Sequence, residues 1–473
     1  MLHSSARSGR SGKVLVLTAM LLPPLCGMVG LVVDAGVMLA TRRQAQNAAD
    51  AAALAAALAR VSGQSDPAAL ATATTFVQSY NGLPGATVTL NSPPTEGKYA
   101  GNAGYVEVIV EVTTKAWFIP VVGGPSDPTV RARAVAGPQM KAAKDTLIAL
   151  DPTAIPGLSV ERTTLKIKGT AWVNSQGAGL DKAGGAVNLG YPNFGARVLN
   201  GGSVQAETLR LVGGVDTPAS YQTLNGGAGL KARQLPLSDP LLNLRTPTIA
   251  TGVSAVYPGA NGSTFASPQH VVVNLAGSGN VTLAPGIYGS ITVTGAGPGN
   301  ITFQSGIYVL KGGDAAGHAL NINTGGKVFA SSVMFYNTGS NYDHVTGTPD
   351  RSDGNTLGTD ASATFGDVLI SPGSSSASIV NSIGDVASPF FGMLLYQRRW
   401  NTRPVEIYLH NADDDYKGTF YARWSKFTVR DPGRTFSQII AGSVSIVTTS
   451  GNASVTLDAG LQVGSANLVF LVE

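Results

Sequence analysis

The residues of this chain with the most potential for chemistry are the acidic run Asp413-Asp414-Asp415 and the histidine His318. Two neighbouring carboxylates are what glycoside hydrolysis requires, because one protonates the leaving group and the other acts as base or nucleophile. A run of like charges is, however, more typical of a solvated turn. We therefore favour a turn at residues 413–415 and keep a carbohydrate-active site as the alternative.

The order of the motifs argues against that alternative. Pectin hydrolases built from stacked β-coils carry N-x-D, then D-D, then G-H-G, then R-x-K. In this chain Gly317-His318-Ala319 precedes the aspartates, and Asn337-Thr338-Gly339 lacks the acid. The sequence therefore predicts no catalytic residue and a protein that is not an enzyme.

Other candidate ligand sets are incomplete. Asp350-Arg-Ser-Asp353-Gly-Asn resembles a calcium loop but lacks the D-x-D-x-D-G spacing and the closing glutamate. No Gly-Lys-Ser/Thr phosphate loop occurs. The five histidines, which show no metal-ligand spacing, are His3, His270, His318, His344 and His410. The sequence therefore predicts neither a bound metal nor a cofactor.

Two segments place aromatic side chains beside arginines, Tyr396-Gln-Arg-Arg-Trp400 and Phe420-Tyr-Ala-Arg-Trp424. Such segments are typical either of a sugar- or protein-binding surface or of an aromatic core with surface charge. The sequence leaves both interpretations open.

Composition favours a β protein outside the cytosol. Charged residues make up 13% of 473 positions, about half the usual share, and glycine occupies 59 positions. The net charge of +4 is small, and no basic cluster with interleaved aromatics occurs, so nucleic acid is not an expected partner.

One segment is long and apolar enough to cross a membrane. Val14 to Val33 contains twenty residues without a charge, enough for a helix across a hydrocarbon core of roughly 30 Å. Basic residues at positions 7, 10 and 13 precede it, which favours a cytoplasmic N-terminus. Pro23 and Pro24 predict a kink or a break in mid-span.

Three kinds of processing are alternatives to a retained anchor. A cleaved signal peptide also has a basic head and an apolar core, but this run exceeds the usual length and no A-x-A-like site follows closely. Pro-Pro-Leu before Cys26 is a poor lipoprotein site, and pilin-type cleavage after Gly12 would want glutamate where the chain has Leu17. We therefore expect the anchor to be retained. Because the only cysteine lies inside it, no intramolecular disulfide is expected.

Two smaller elements follow the span. Residues 41–61 are rich in alanine and predict a helix, whose Leu54 and Leu58 lie four positions apart and call for a partner surface in this chain or in another subunit. Beyond it, Asp66-Pro67 predicts a helix start, with Asp66 as N-cap, and Asn81-Gly82 a helix end. The alternation in Val106–Val112 predicts a strand, and Thr129–Ala136 has a similar period. Exposed cross-strand pairs of Glu107 or Glu111 with Arg131 or Arg133 are a further prediction.

The remainder of the chain consists of short segments with high β-propensity, separated by glycines. Asn280-Val-Thr-Leu-Ala-Pro-Gly286-Ile-Tyr288 and Asn300-Ile-Thr-Phe-Gln-Ser-Gly306-Ile-Tyr308 align at an offset of twenty residues. Recurrence at such a period is typical of stacked coils in which each rung covers the next. A β-solenoid is therefore the favoured fold, with a β-sandwich as the alternative.

Together these signals predict a mainly β protein with five segments. They are a cytoplasmic tail (1–13), a transmembrane anchor (14–35), an alanine-rich neck helix (36–65), a small α+β module (66–140) and a repetitive β-solenoid-like region (141–473).

The N-terminal words resemble a known family. They are Leu22-Pro23, Gly30-Leu-Val-Val-Asp34-Ala-Gly36 and Arg42-Arg-Gln-Ala-Gln-Asn-Ala-Ala-Asp50-Ala-Ala-Ala-Leu54-Ala. In them the chain resembles TadE/TadG-like proteins of the Flp (tight adherence) pilus system. Further words that look like the outer region of the same group are Ala149-Leu-Asp151-Pro, Leu237-Ser-Asp239-Pro240-Leu, Pro285-Gly-Ile-Tyr288, Phe335-Tyr-Asn-Thr338 and Gly392-Met-Leu-Leu-Tyr396-Gln-Arg398.

The resemblance implies a single-pass inner-membrane protein of a Gram-negative envelope, with its bulk in the periplasm. It implies a role in assembling or anchoring adhesive pili together with other pilus-assembly proteins. Some larger relatives carry a von Willebrand A domain with a D-x-S-x-S metal site, a motif absent here. We therefore expect a non-enzymatic scaffold, with self-association through the neck helix as a possibility and an anchored carbohydrate-active β-helix enzyme as the alternative.

Overall fold

The chain forms two units, which are described one after the other. The first consists of Met1–Gln139 and Asn467–Glu473, and the second of Met140–Ala466. The computed structural model describes residues 11–61, 65–101, 105–138, 145–242, 244, 246–249, 270–276, 279–296, 299–347, 357–373, 378–385, 388–409, 415–431, 433–448, 453–458 and 469–473.

Strands outnumber helices in the described chain, which confirms the predicted class of a mainly β protein with an N-terminal apolar helix. The α-helices are α1 (Ser11–Val61) and α2 (Asp66–Thr75). The strands are β1 (Thr87–Asn91), β2 (Val106–Thr113), β3 (Thr129–Pro138), β4 (Asp145–Ala149), β5 (Leu158–Glu161), β6 (Thr163–Val173), β7 (Gly179–Leu180), β8 (Ala186–Val187), β9 (Ala196–Leu199), β10 (Ser203–Leu211), β11 (Tyr221–Thr223), β12 (Gly229–Lys231), β13 (His270–Asn274), β14 (Val281–Leu283), β15 (Gly286–Tyr288), β16 (Ser290–Thr294), β17 (Ile301–Phe303), β18 (Gly306–Lys311), β19 (His318–Asn323), β20 (Val328–Thr338), β21 (Asp367–Ser371), β22 (Ile379–Ser382), β23 (Met393–Gln397), β24 (Val405–Tyr408), β25 (Asp415–Arg430), β26 (Gly433–Val447), β27 (Ala453–Asp458) and β28 (Val469–Leu471).

Helix α1 joins the predicted span to the predicted neck without interruption. It runs through Pro23 and Pro24 without a break, and the other outcome predicted there, a kink, stays a prediction. Among the described residues one helical stretch, Val14–Arg60, is long and apolar enough to cross a membrane. Length and composition alone would fit a membrane anchor or a signal sequence.

Helix α2 begins one residue earlier than the sequence suggests. Ser65 is the N-cap, with extended backbone angles, and Asp66 is already helical, so the predicted N-cap at Asp66 is wrong. Pro67 stands near the helix start, where its missing N–H costs no hydrogen bond. The helix continues as a π-helical turn, Phe76–Tyr80, and ends at Asn81 as predicted.

The first unit has one antiparallel sheet in the order β1-β2-β3-β28. Strand β2 pairs with β3 from Val106 opposite Ala136 to Thr113 opposite Thr129. Strand β28 pairs with the end of β3, where Phe470 lies opposite Gly137. The second unit is thus inserted, in sequence, between two neighbouring strands of this sheet.

The alanine-rich part of α1 packs against this sheet and against α2. Its buried alanines meet the valines of β2 and the alanines of β3 in one apolar cluster, and they are Ala45, Ala48, Ala49, Ala52, Ala53, Ala56, Ala57 and Ala59. Small side chains on both sides let the helix backbone approach the sheet closely. The helix therefore has a partner surface in its own chain. Leu54 and Leu58 lie outside this contact and remain 36% and 42% exposed.

The second unit is organised in three ladders of parallel strands. The first runs β13-β16-β19-β21-β24-β25-β26-β5-β9. The second runs β14-β17-β20-β22-β25-β26-β27-β6-β10-β11. The third runs β15-β18-β20-β23-β25-β26-β4-β6-β10-β12. Val281 pairs with Ile301 and Leu283 with Phe303, at the offset of twenty found in the sequence.

The order of strands in the ladders differs from their order in the chain. Strands β4, β5 and β6, which begin the unit, stack on β26 and β27, which end it. The start and the end of the inserted unit are therefore neighbours. A unit with adjacent ends can be inserted between β3 and β28 without separating them.

Apolar side chains from the three ladders form one large core cluster. Its aromatic members include Phe303, Tyr308 and Phe335, whose ring centroids lie 5.1 to 5.5 Å apart. A second cluster lies on the other side of the third ladder, where Leu241 and Leu244 pack on residues of β20, β23, β25 and β26. The segment around Asp239 thus covers one ladder.

Candidate functional site

A carboxylate near the end of the apolar run binds a loop of the first unit. Asp34 is buried, and its carboxylate accepts hydrogen bonds from the backbone N–H groups of Trp117 (3.1 Å), Phe118 (2.6 Å) and Ile119 (2.8 Å). A 3-10 turn, Ile119–Val122, starts at this point. The first N–H groups of a helical turn have no partner within it, so an anion is a suitable acceptor. Asp34 therefore ties the loop to α1.

A glycine one helical turn before Asp34 makes room for the same loop. A Cβ atom placed at Gly30 would lie 2.2 Å from the ring of Phe118, whereas at Gly27 or Gly36 it would meet nothing within 4 Å. The Phe118 ring therefore covers Gly30 closely. Gly30 and Asp34 both belong to the N-terminal segment that carries the family resemblance, and here they contact the same loop.

The loop itself presents apolar side chains outward. Trp117, Val121 and Val122 are 68%, 79% and 65% exposed. The Lys115 ammonium lies 5.7 Å from the centroid of the Trp117 ring, within reach of a cation–π interaction. We call Trp117–Val122 the apolar loop.

A second carboxylate of the first unit is buried in the sheet. Glu107 accepts hydrogen bonds from Asn91 Nδ2 (2.7 Å), Thr95 Oγ1 (2.7 Å) and Arg133 Nε (2.5 Å). Arg133 also donates to Glu473 Oε2 at 2.8 Å. Burial by itself raises the pKa of Glu107, but these hydrogen bonds outweigh it and lower the pKa to about 2.

Both predicted cross-strand pairs are present, in different surroundings. Arg131 and Glu111 lie 3.9 Å apart, with about half of each side chain exposed, as predicted. Glu107, by contrast, is fully buried, so the prediction of an exposed pair with Arg133 is wrong. The loop around Thr95 and the Glu473 side chain enclose it, and no alternation pattern reveals such a cover.

The second unit buries a cluster of charges behind its third ladder. Tyr421 Oη donates to Asp239 Oδ2 at 2.6 Å, and Arg399 Nε donates to Tyr421 Oη at 2.8 Å. Arg399 Nε and Arg423 Nε lie 3.9 and 3.8 Å from the same carboxylate oxygen. Burial raises the pKa of Tyr421 well above its usual value and lowers that of Arg423. The phenol is therefore a proton donor to the carboxylate.

This cluster clamps the segment that covers the ladder. Arg399 Nη2 donates to the carbonyl oxygens of Leu241 and Leu244. Asn174 donates to the carbonyl oxygen of Leu237 and accepts from its N–H, at 2.8 and 2.9 Å. The aromatic-and-arginine segments of β23 and β25 thus belong to a buried contact. Their interpretation as an exposed sugar-binding surface is wrong for Tyr396, Arg399, Phe420, Tyr421 and Arg423, all of which are buried.

The sequence candidates for chemistry are only partly described. The Asp350–Asn355 segment and the side chains of Asp413–Asp415 lie outside the described residues. His318 Nδ1 lies 2.5 Å from Asp367 Oδ1, and Arg403 Nη2 lies 3.9 Å from Asp367 Oδ2. Among the described residues, histidine, cysteine, aspartate and glutamate form no group of three or more that could hold a metal ion. The structure thus places the His318 ring in contact with the Asp367 carboxylate.

The first unit thus combines a long apolar N-terminal helix with a small antiparallel sheet. Residues 12–60 match the family model described as putative Flp pilus-assembly TadE/G-like, which confirms the resemblance over α1. No curated protein and no solved structure was found to match the chain. The match supports a role related to Flp pilus assembly.

The contacts of Asp34 and Asp239 are not encoded in local sequence patterns. The apolar run Trp117-Phe-Ile-Pro-Val-Val122 and the acid at the end of the span, Asp34, are each visible in the sequence, but nothing there links them. The segment around Asp239 shows a resemblance but no sign of a buried partner. In each case the partner is far away in sequence, 83 residues for Trp117 and Asp34 and 182 for Tyr421 and Asp239.

Proposed function

We propose that this protein is a non-enzymatic scaffold that assists assembly or anchoring of Flp-type pili. Helix α1 fixes it in the inner membrane with a cytoplasmic N-terminus, and the chain from Asp34 onward lies in the periplasm. The observation that carries this proposal is the family match over residues 12–60, on a helix that is apolar in its first part and a core element in its second.

Retention of the anchor is supported by how α1 is used in the fold. Residues between Ala45 and Ala57 form the core against the sheet, and Asp34 and Gly30 hold the apolar loop. A signal peptidase that removed the helix would remove part of that core. A cut upstream of residue 30 would spare these contacts, so the size of the mature protein is the decisive measurement.

The parallel ladders support a β-solenoid in the second unit. Strands separated by about twenty residues in sequence pair in register, as rungs of a stack do. Among the described strands, the ladders begin at β13, β14 and β15 and end at β9, β11 and β12. Strand edges at the ends of a stack are suited to pairing with other proteins. The unit would thus present a long surface for pilus-assembly partners.

The test combines deletion with crosslinking in cells. Deleting the gene is expected to remove surface fibres and adhesion, and unchanged fibres would contradict the proposal. A photo-crosslinking residue at Leu54 or Leu58 is expected to capture a pilus-assembly protein or a second copy of this chain. Tyr80, an exposed aromatic of the same unit, is the control position.

Two further measurements test the remaining parts of the proposal. Incubating the purified protein with envelope polysaccharides is expected to produce no new reducing ends, and their appearance would favour the carbohydrate-active alternative. Cell fractionation is expected to recover the full-length protein in the membrane. A shortened product in the soluble fraction would contradict the anchor.

A further inference from the structure

We propose that the apolar loop, Trp117–Val122, is a second membrane contact, seated at the boundary between lipid headgroups and acyl chains beside the anchor helix. This inference rests on the proposed membrane anchor. It adds a contact made by the folded domain itself, so that the first unit is held against the bilayer and is not merely tethered to it.

The first argument is position along α1. Asp34 directly follows the uncharged run that ends at Val33, and its carboxylate holds the backbone of the loop at 2.6 to 3.1 Å. Gly30 lies about 6 Å further toward the apolar run, at 1.5 Å per residue, and the Phe118 ring covers it. If α1 crosses the bilayer, this ring is at the level of its last apolar turn. The contacts with Gly30 and Asp34 then hold the loop at the lipid surface.

The second argument is the state of the loop backbone. The N–H groups of Trp117, Phe118 and Ile119 donate to Asp34, and residue 120 is a proline without an N–H. Other N–H groups are satisfied within the loop region, from Val121 to the Phe118 carbonyl, from Gly123 to the Pro120 carbonyl and from Gly124 to the Ile119 carbonyl. Because unsatisfied polar backbone groups are costly near the hydrocarbon region, internal partners for these N–H groups favour a place for the loop at its boundary.

The third argument is the chemistry of the outward face. Trp117 is a typical interfacial residue, because its ring is apolar and its N–H is polar. Val121 and Val122 are its exposed apolar neighbours, and Lys115 can extend its ammonium to the headgroups.

The occupant of this surface is argued from its continuity with the helix. Val29, Val32 and Val33 on α1 are also mostly exposed, at the same level as the loop. In the anchored protein these valines lie at the lipid-facing end of the span, and the apolar loop lies next to them. A lipid surface therefore accounts for both sets of side chains at once.

The experiment uses the full-length protein in liposomes with Cys26→Ser as background. Single cysteines are introduced at Val121, at Met20 in the span and at Leu235, an exposed apolar residue of the second unit. Each is spin-labelled, and its accessibility to oxygen and to a water-soluble nickel reagent is measured. We expect Met20 and Val121 to favour oxygen and Leu235 to favour nickel.

The possible outcomes separate the two proposals. A Val121 label that is as accessible to nickel as the Leu235 label, while the Met20 label is in lipid, overturns the loop contact and leaves the anchor intact. A Met20 label that is in water overturns the anchor, and the loop contact with it. Circular dichroism verifies that each variant is folded, and a label at Val122 repeats the measurement should the Val121 variant fail to fold.

A matched pair of glycine variants tests the positioning role of Gly30. Gly30→Leu would displace the Phe118 ring, whereas Gly27→Leu adds the same side chain to the same helix in open space. We expect the nickel accessibility of the Val121 label to rise several-fold in the Gly30 variant only. An unchanged label in Gly30→Leu would contradict this assignment.

Discussion

The two units bury carboxylates in opposite ways. In the first unit, Asp34 accepts hydrogen bonds from neutral backbone groups and Glu107 is shared among neutral donors and one arginine. In the second unit, Asp239 faces two buried arginines, Arg399 and Arg423. Loss of the carboxylate therefore removes a local attachment in the first unit but takes a counter-charge from two buried cations in the second. The loss of stability on removing a buried carboxylate therefore depends on whether the groups left behind are neutral or charged.

The largest effect is expected from Asp239→Ala. Arg399 and Arg423 would stay buried and lose a carboxylate that lies within 4 Å of both, and removing one partner of a buried pair costs about 3–5 kcal/mol. The segment containing Leu241 and Leu244 should also detach from the third ladder. We expect the urea midpoint of the full-length protein in detergent to fall, and amide exchange to rise at residues 237–249.

An exposed ion pair of the same unit provides the control. Lys168→Ala removes an ammonium that lies 3.1 Å from Asp458 Oδ2 and whose side chain is 43% exposed. Because exposed pairs contribute less than about 1 kcal/mol, its urea midpoint should stay close to that of the wild type. Equal losses in the two variants would show that burial of the charges is not what sets their importance.

A smaller and pH-dependent loss is expected from Glu107→Gln in the first unit. The folded pKa of about 2 lies below the ordinary value of 4.5, so the carboxylate stabilises the fold above about pH 4.5. That stabilisation, up to about 3 kcal/mol, is lost as the pH falls toward 2. Amide exchange of β2 and β3 should therefore distinguish the variant from the wild type at pH 7, and the difference should shrink toward pH 2. Glu111→Gln is the matched control, and a constant difference at every pH would contradict this account.

The patterns that could be read from the sequence are the local and periodic ones. The uncharged run of α1 lies in one continuous helix, and the twenty-residue offset of Val281 and Ile301 is the register of a ladder. The segment of alternating valines is a strand, as predicted, but both of its faces are buried from Val106 to Val110. The partners of Asp34 and Asp239 could not be read, because no local pattern encodes a contact across 83 or 182 residues. The burial of Glu107 could not be read for the same reason, because the loop that covers it is not encoded in the pattern of its own strand. Alternation identifies a face of a strand but not the loop that closes over it.

The contact between α1 and its sheet should tolerate little added volume. Ala52 is fully buried against the sheet, so Ala52→Leu would force the helix outward at a cost of about 1–3 kcal/mol. Leu54→Ala, on the exposed side of the same helix, should change stability by less than about 0.5 kcal/mol. Amide exchange of β3 measures both. A larger effect at Leu54 than at Ala52 in the purified protein would mean that the leucine face is the packed one.

The smallest effect is expected at the exposed pair of Arg131 and Glu111. These side chains lie 3.9 Å apart and are about half exposed, so Arg131→Glu should destabilise the sheet by less than about 1 kcal/mol. Adding Glu111→Arg should restore the loss, because the pair is re-formed with its charges exchanged. The same exchange at Glu107 and Arg133 should fail, since an arginine at position 107 would face Thr95 and Asn91, which donate hydrogen bonds to the native carboxylate. Recovery at both pairs would show that charge complementarity alone governs this sheet, and recovery at the exposed pair only would show that burial fixes the orientation of the other.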